Sequence, residues 1–462
     1  MSDSALEIEL GDRLLRRGDA GYERARQDAV WNARRPDRYP ALIVLARDEA
    51  DVRAAVRLAG QFGLRVGIRS GGHSWVGNGV RDDSLLLDIS RLQEIHIDPE
   101  TRTAAVRPAA KGPAINAAAG AHGLFFPTGH APTVGIGGFI LGGGYGWNSR
   151  ALGPACLSIQ AIDVVLADGT LVHADDASHP DLMWAARGCG PGFFGVVTRF
   201  YLRLYPAPER ILRTVHSYPL ELRDEVLAFV YDVLDELPRE VELSAKVGFT
   251  PGRDDHLVSL TATAFCGADT PADPLAVLEN APFRDQAIKA TVARSSTLDE
   301  LYELADRLTP PGMRWALDGM WLGGSSAEVV ELARPLNDTI PDGMSFVLWM
   351  VWGGYPRQDN ACWSSQARLY LSPNAGWADP AEDLTHETWA HAPLVAIQHA
   401  SQGLQFSDNN VADRFDHGIE PEAGERLEKI RAVYDPEARF HTYMRPEEST
   451  TAYGLARAKR TH

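Results

Sequence analysis

Glycine is gathered into groups along this chain. Of 42 glycines in 462 residues, dense groups fall at Arg69-Ser-Gly-Gly-His73, between Gly129 and Gly146, and at Gly188-Cys-Gly-Pro-Gly-Phe-Phe-Gly195. Lacking Cβ, glycine lets backbone N–H groups close on an anion and admits positive φ. Three such loops in the N-terminal half demand a fold that collects them around one ligand. A nucleotide P-loop needs Gly-Lys-Ser or Gly-Lys-Thr, and neither occurs. Gly190-Pro-Gly-Phe-Phe-Gly195 fits the G-x-G-x-x-G dinucleotide pattern, but that pattern must follow a strand and open a helix. Here a helical stretch precedes it and a strand follows, so the match is accidental.

The residues around these loops set the organisation. Residues 1–37 read as a polar helix-and-loop lead-in running into the basic cluster Arg34, Arg35 and Arg38. Ala41 to Leu45 is a short strand. Asp48 is a helix N-cap before the helical spacing of Val52, Ala55, Val56 and Ala59, and Gly63 ends that helix. Strands are expected at Arg65–Arg69, Leu85–Asp88, Thr103–Val106 and Val196–Tyr205, with helices at Pro113–Ala121 and Asp181–Ala186. Ile162–Ala167 and Thr170–His173 form a hairpin about Asp168-Gly169. Beyond residue 210 glycine thins, and helices such as Leu222–Leu237 alternate with strands such as Ser345–Trp352. The tail from 421 returns to a helix, Glu425–Tyr434.

Charge narrows the partners. With 45 Lys+Arg against 62 Asp+Glu the net charge is −17, which argues against nucleic acid and anionic membranes. A bound pyrophosphate then needs local neutralisation by backbone N–H groups and Arg69. Cysteines at 156, 189, 266 and 362 make no disulfide framework or CxxC metal site. The N-terminus lacks signal-peptide character and no apolar run approaches a membrane span, so a cytoplasmic location is expected. His386-Glu387-Thr-Trp-Ala-His391 misses the HExxH spacing, which leaves both histidines at the surface and no metal expected.

Together Arg-Ser-Gly-Gly-His at 69–73, Pro-Thr-Val-Gly-Ile-Gly-Gly-Phe-Ile-Leu-Gly-Gly-Gly-Tyr-Gly at 132–146, Phe-Gly-Val-Val-Thr at 194–198 and Tyr-Asp-Pro-Glu-Ala-Arg-Phe at 434–440 resemble the berberine-bridge-enzyme-like branch of the vanillyl-alcohol-oxidase flavoproteins. The resemblance implies an α+β chain. Residues 38–207 and 421–462 would form a two-lobed FAD-binding domain of PCMH type. Residues 211–420 would form a substrate domain whose antiparallel sheet, flanked by helices, roofs the isoalloxazine. It implies FAD bonded covalently to His73. Cofactor contacts would come from Arg69, Ser70, Gly71, Gly72, Ser74, Thr133, Val134, Gly137, Gly138, Gly142, Gly143, Gly144, Val196, Val197 and Tyr443. Many relatives carry a second tether, a cysteine where this chain has Ala131. The chain therefore resembles the single-histidyl subgroup, which includes the 6-hydroxynicotine oxidases and some bacterial oxidases of secondary metabolism.

The family's usual catalytic positions are altered here. Relatives often place a glutamate or tyrosine base on the strand matching Ser345–Trp352, which carries no carboxylate and offers Trp349 or Trp352 as a pocket wall. Ser365-Gln366 replaces a His-Arg pair, Phe406 and Asp408 replace Tyr and Asn of a Tyr-x-Asn motif, and Tyr443 stands where asparagine is common. Asp408 and Tyr370 are the candidates for proton transfer, against the plainer reading of Asp408 as a solvated loop residue. The expected reaction is hydride transfer from a small or medium organic molecule, hydrophobic, aromatic or polyketide-like, to flavin N5, with reoxidation by molecular oxygen. The alternatives are a dehydrogenase using another acceptor, or a flavin-fold binding protein without catalysis. Oligomeric state is not indicated.

Overall fold

In the computed structural model, which describes residues 5–253, 255–414 and 416–460, the chain forms mixed sheets and helices. Residues 1–4 of the lead-in and 461–462 of the tail lie outside the described residues.

The lead-in is more structured than its polarity suggests. Leu14–Arg16 pairs antiparallel with Leu42–Leu45, which runs parallel to Leu85–Asp88 and, beyond it, Val66–Arg69. Helix Glu49–Gln61 starts at Asp48, whose side chain accepts the Asp51 N–H, and buries Val52, Ala55, Val56 and Ala59. The chain turns off this helix through Gly63 at φ +64°. A parallel strand must finish before its successor starts, so the loop after Val66–Arg69 emerges at the C-terminal end of this sheet.

A second, five-stranded antiparallel sheet orders Ile95–Asp98, Thr103–Val106, Val196–Arg203, Ile159–Val165 and Leu171–Asp175. The hairpin turn is at Asp168-Gly169, where Asp168 accepts the Thr170 N–H at 2.7 Å. The Gly190–Gly192 turn leads directly into Val196–Arg203, so no helix follows the G-x-G-x-x-G match.

The third sheet has eight strands and begins at Arg210. Lys289–Ser296, Arg210–Tyr218, Leu257–Cys266, Val241–Gly248, Phe346–Val351, Leu369–Trp377 and Arg314–Leu317 lie in that order, with Met320–Leu322 also on Leu369–Trp377. One face packs on helices Arg223–Asp232, Ser326–Asn337 and Asp383–Ala396 through a large apolar core. Residues 222–237 are a helix to Asp232 and a tighter helical turn over Val233–Glu236.

The tail divides between the two parts. Helix Pro421–Tyr434 contributes Leu427 and Ile430 to the core of the five-stranded sheet, and Phe440 joins the core of the first sheet. Helix Ala452–Arg460 instead packs on Asp383–Ala396 of the substrate side. His386 and His391 are buried, against the surface placement expected for them. His386 stacks on Trp377, and His391 Nδ1 lies 3.1 Å from Asp318 Oδ2. No helix among the described residues is long and apolar enough to cross a membrane.

Candidate active site

The glycine loops and the free face of the eight-stranded sheet enclose a cavity of about 630 Å³, within the ~300–1,000 Å³ usual for small-molecule sites. Arg69, Ser70, Gly71, Gly72, His73 and Ser74 line one side with Val134, Gly137, Gly138, Gly142 and Val197. Tyr370 and Asp408 line it from the substrate side. Thr133, Gly143, Gly144, Val196 and Tyr443 are not among the lining residues. Val196 is buried in the core of the first sheet, and Tyr443 donates its hydroxyl to the Cys189 carbonyl at 2.7 Å.

The loop after Val66–Arg69 has the character of an anion cradle. Backbone N–H groups of residues 71–76, which are half-buried beside the cavity, meet no acceptor among the described residues and are free to take one from a ligand. Arg69 lines the cavity with part of its guanidinium engaged: Nη1 lies 3.1 Å from both Asp88 carboxylate oxygens and Nη2 donates to the Asp28 carbonyl at 3.0 Å, while Nε is buried without a partner.

Close approach explains the glycines. A Cβ on Gly71 would lie 2.6 Å from Gly135 N and 3.1 Å from Gly135 Cα, both backbone atoms with nowhere to go. Gly71→Ala is therefore expected to separate the two loops and weaken cofactor loading by on the order of tenfold or more. The ratio of flavin to protein absorbance in the purified variant measures it. The third loop is glycine-rich partly for packing, since a Cβ at Gly190 or Gly192 would strike Phe406 or the Tyr443 hydroxyl.

His73 sits between this cradle and the lead-in. Trp31 stacks on its ring at 4.8 Å and 25°, and the Trp31 N–H donates to the Gly72 carbonyl at 2.9 Å. Asn32 ties the same segment to the substrate side through the carbonyls of Trp75 and Trp315. His73 Nε2 is buried without a partner. Burial first, then Lys111 and Arg69, push its pKa down to about 4, so the imidazole is neutral near pH 7. His441, which sequence reading passed over, also lines the cavity with both ring nitrogens buried and unpartnered.

Asp408 is half-buried and opens onto the cavity. Burial raises its pKa above the usual carboxylate value, while the Trp75 side chain and His130 pull it down. Tyr370 donates its hydroxyl to Asn409 Oδ1 at 2.7 Å. Asn409 in turn donates its amide to Asp318 and, at 2.6 Å, to the Gly319 carbonyl. Arg414 holds Asp318 at 2.8 and 2.9 Å. This buried chain fixes the Asn409 amide, so the Tyr370 proton points away from the cavity. Burial, then Asp408 and Asp318, raise the Tyr370 pKa far above that of a free tyrosine.

Of the two tryptophans proposed as a wall, Trp352 lines the cavity, while Trp349 points to the opposite face and into the helix-packed core. Side chains alternate across a strand, so Phe346, Leu348 and Met350 face the cavity instead. Gln366, at an altered family position, accepts the Trp352 indole N–H at 3.1 Å and the Tyr355 N–H at 2.8 Å. The adjacent strand does carry a cavity-facing carboxylate. Val-Glu-Leu-Ser-Ala-Lys-Val at 241–247 alternates strictly, and Glu242, Ser244 and Lys246 all line the cavity. That alternation was the available signal.

A family model described as an FAD binding domain matches residues 40–175. An FAD-linked oxidoreductase of Bacillus subtilis, YvdP, is 34% identical over 470 residues, covering 94% of this chain and 97% of its own. The chain belongs to the FAD-linked oxidoreductases. This FAD-linked oxidoreductase is also 30% identical to (R)-6-hydroxynicotine oxidase of Paenarthrobacter nicotinovorans, over 96% of this chain and 98% of the relative. Its fold matches the crystal structure of 6-hydroxy-D-nicotine oxidase from Arthrobacter nicotinovorans with a TM-score of 0.82 at 24% identity, covering 96% and 99% of the two chains. Physcomitrella patens BBE-like 1 matches with a TM-score of 0.80 at 20% identity, covering 97% and 98%. The unpaired N–H groups, the cavity beside them and the close Gly71–Gly135 approach fit an FAD-binding site.

Proposed function

We propose that this FAD-linked oxidoreductase is an oxidase that carries FAD covalently on His73. The observation that carries this reading is a neutral, partly orphaned imidazole at the edge of a backbone N–H cradle, both opening into one roofed cavity. Bound FAD supplies the hydride acceptor, and molecular oxygen takes the electrons as peroxide.

The chain supplies position and proton handling. Residues 38–207 and the returning segment from 421 hold the cofactor. Ser70, Gly71, Gly72 and Ser74 face its phosphates, and Gly137, Gly138 and Gly142 give it room. Residues 211–420 hold the substrate. Leu348, Met350 and Trp352 form an apolar roof that excludes water and suits a hydrophobic or aromatic body. Asp408 takes the substrate proton at its carboxylate. Tyr370, with its own proton committed to Asn409, offers a lone pair to a substrate O–H or N–H. Similarity to a protein named (R)-6-hydroxynicotine oxidase supports an oxidase acting on a small molecule.

The test mixes the protein anaerobically with alcohols, phenols and amines and follows the flavin absorbance. Bleaching that reverses on admitting air supports an oxidase. Recovery only with an artificial acceptor identifies a dehydrogenase, and no bleaching with any reductant favours a binding protein.

A further inference from the structure

Strand Val241–Gly248 carries a charge that the proposed reaction leaves unused. Of its cavity-facing side chains, Glu242 is already matched: Oε1 accepts the Asn148 N–H at 2.6 Å, and Oε2 lies 3.4 Å from His130 Nε2. Lys246 is not. Its side chain is half-buried, its ammonium donates to the Phe249 carbonyl, and it lies 5.8 and 5.5 Å from the Phe249 and Phe346 rings. An ammonium has three donors, and no carboxylate among the described residues lies within ion-pair distance of this one. The cross-strand neighbours are Ser259 and Leu348, with Ser217 and Ser372 beyond them, none of them charged.

A buried cation without a counter-charge is costly, and proteins retain one where something completes it. Burial alone lowers the Lys246 pKa to about 8, with no opposing charge to restore it. Two strands away Arg213 also lines the cavity, and the charges acting on it are those of Arg294 and Arg307, of like sign. The cofactor's phosphates have their own donors in residues 71–76, on the loop facing this sheet. Phe346 packs near Trp31 and Trp75, which sets the ammonium toward the His73 side of the cavity. Serines flank it on one side, and Phe346, Leu348 and Met350 lie on the other.

We propose that Lys246 binds an anionic group of the substrate, so that the substrate is an organic acid with an apolar body. This rests on the oxidase reading of the same cavity. The acid, a carboxylate or an acidic enol, completes the ammonium's hydrogen bonds, while its apolar part lies under Leu348 and Met350.

The probes are benzoate, 2-naphthoate and 4-phenylbutyrate, each beside its neutral amide, titrated into flavin-loaded protein and read as a change in flavin absorbance. The expected result is at least one acid binding about tenfold or more tighter than its amide. Lys246→Met should bring that ratio near one with flavin content unchanged, and Lys246→Arg should keep much of it. If no acid outbinds its amide, or the preference survives in Lys246→Met, the proposal is overturned. Loss of flavin from Lys246→Met would assign the ammonium to the cofactor and overturn it as well. Purified wild-type protein without flavin would instead defeat the oxidase reading, and this proposal with it.

Discussion

His73→Ala is expected to abolish denaturation-resistant flavin. Wild-type protein precipitated with acid and run on a denaturing gel should carry flavin fluorescence in the protein band, and the variant should leave all of its flavin in the supernatant. Covalent attachment needs an unprotonated ring nitrogen held near the cofactor. His73 meets the first condition because burial, Lys111 and Arg69 hold its pKa at about 4. Trp31 meets the second by stacking on the ring. His441 is the rival in the same cavity, with its pKa pushed down to about 3 by burial, Arg81 and Arg65. His441→Ala should therefore keep the fluorescent band. A band that persists in His73→Ala and vanishes in His441→Ala would move the tether to His441.

The second large effect is expected at Asp408. Asp408→Asn should slow anaerobic flavin reduction by about 10²- to 10⁴-fold, the usual contribution of a positioned general base. The pH dependence gives a separate signature. A base works only when ionised, so the rate falls as pH drops through its pKa. Burial raises that pKa, so the acid limb of the wild-type profile should lie above the pH range of an ordinary aspartate. The asparagine variant should lack that limb. Tyr370→Phe should cost less, because the Tyr370 hydroxyl resists ionisation and its proton is held by Asn409. A larger loss in Tyr370→Phe, with the acid limb intact in Asp408→Asn, would reverse the two roles.

The cofactor side is legible in sequence where it depends on local backbone chemistry. Gly71 announces a cradle because a side chain there would keep its loop from approaching Gly135 so closely, and Asp48 and Gly63 mark their helix for equally local reasons. The substrate side was harder. Three residues apart, Trp349 and Trp352 fall on opposite faces of a strand, and only the helix layer behind the sheet shows which of the two faces away from the cavity. The alternation at 241–247 is plain, yet nothing in it tells that Glu242 and Lys246 face a cavity and not solvent.

Long-range contacts were the least legible. Trp31 reads as part of a polar lead-in until it is seen on His73, and Asn32 until it is seen bridging to Trp315, 283 positions away. That Asp88 holds one edge of the Arg69 guanidinium is equally invisible in the sequence. Glycine spacing and strand periodicity are short-range properties, so the amino-acid order alone set out the loops and many of the elements, while the fold class and the cofactor followed from the family resemblance of its motifs. Which side chains share the cavity, which charges are already matched there and which one is left for a substrate depend on segments hundreds of residues apart. Those were decided when the sheets packed together, because a pairing energy exists only between groups the fold has brought into contact.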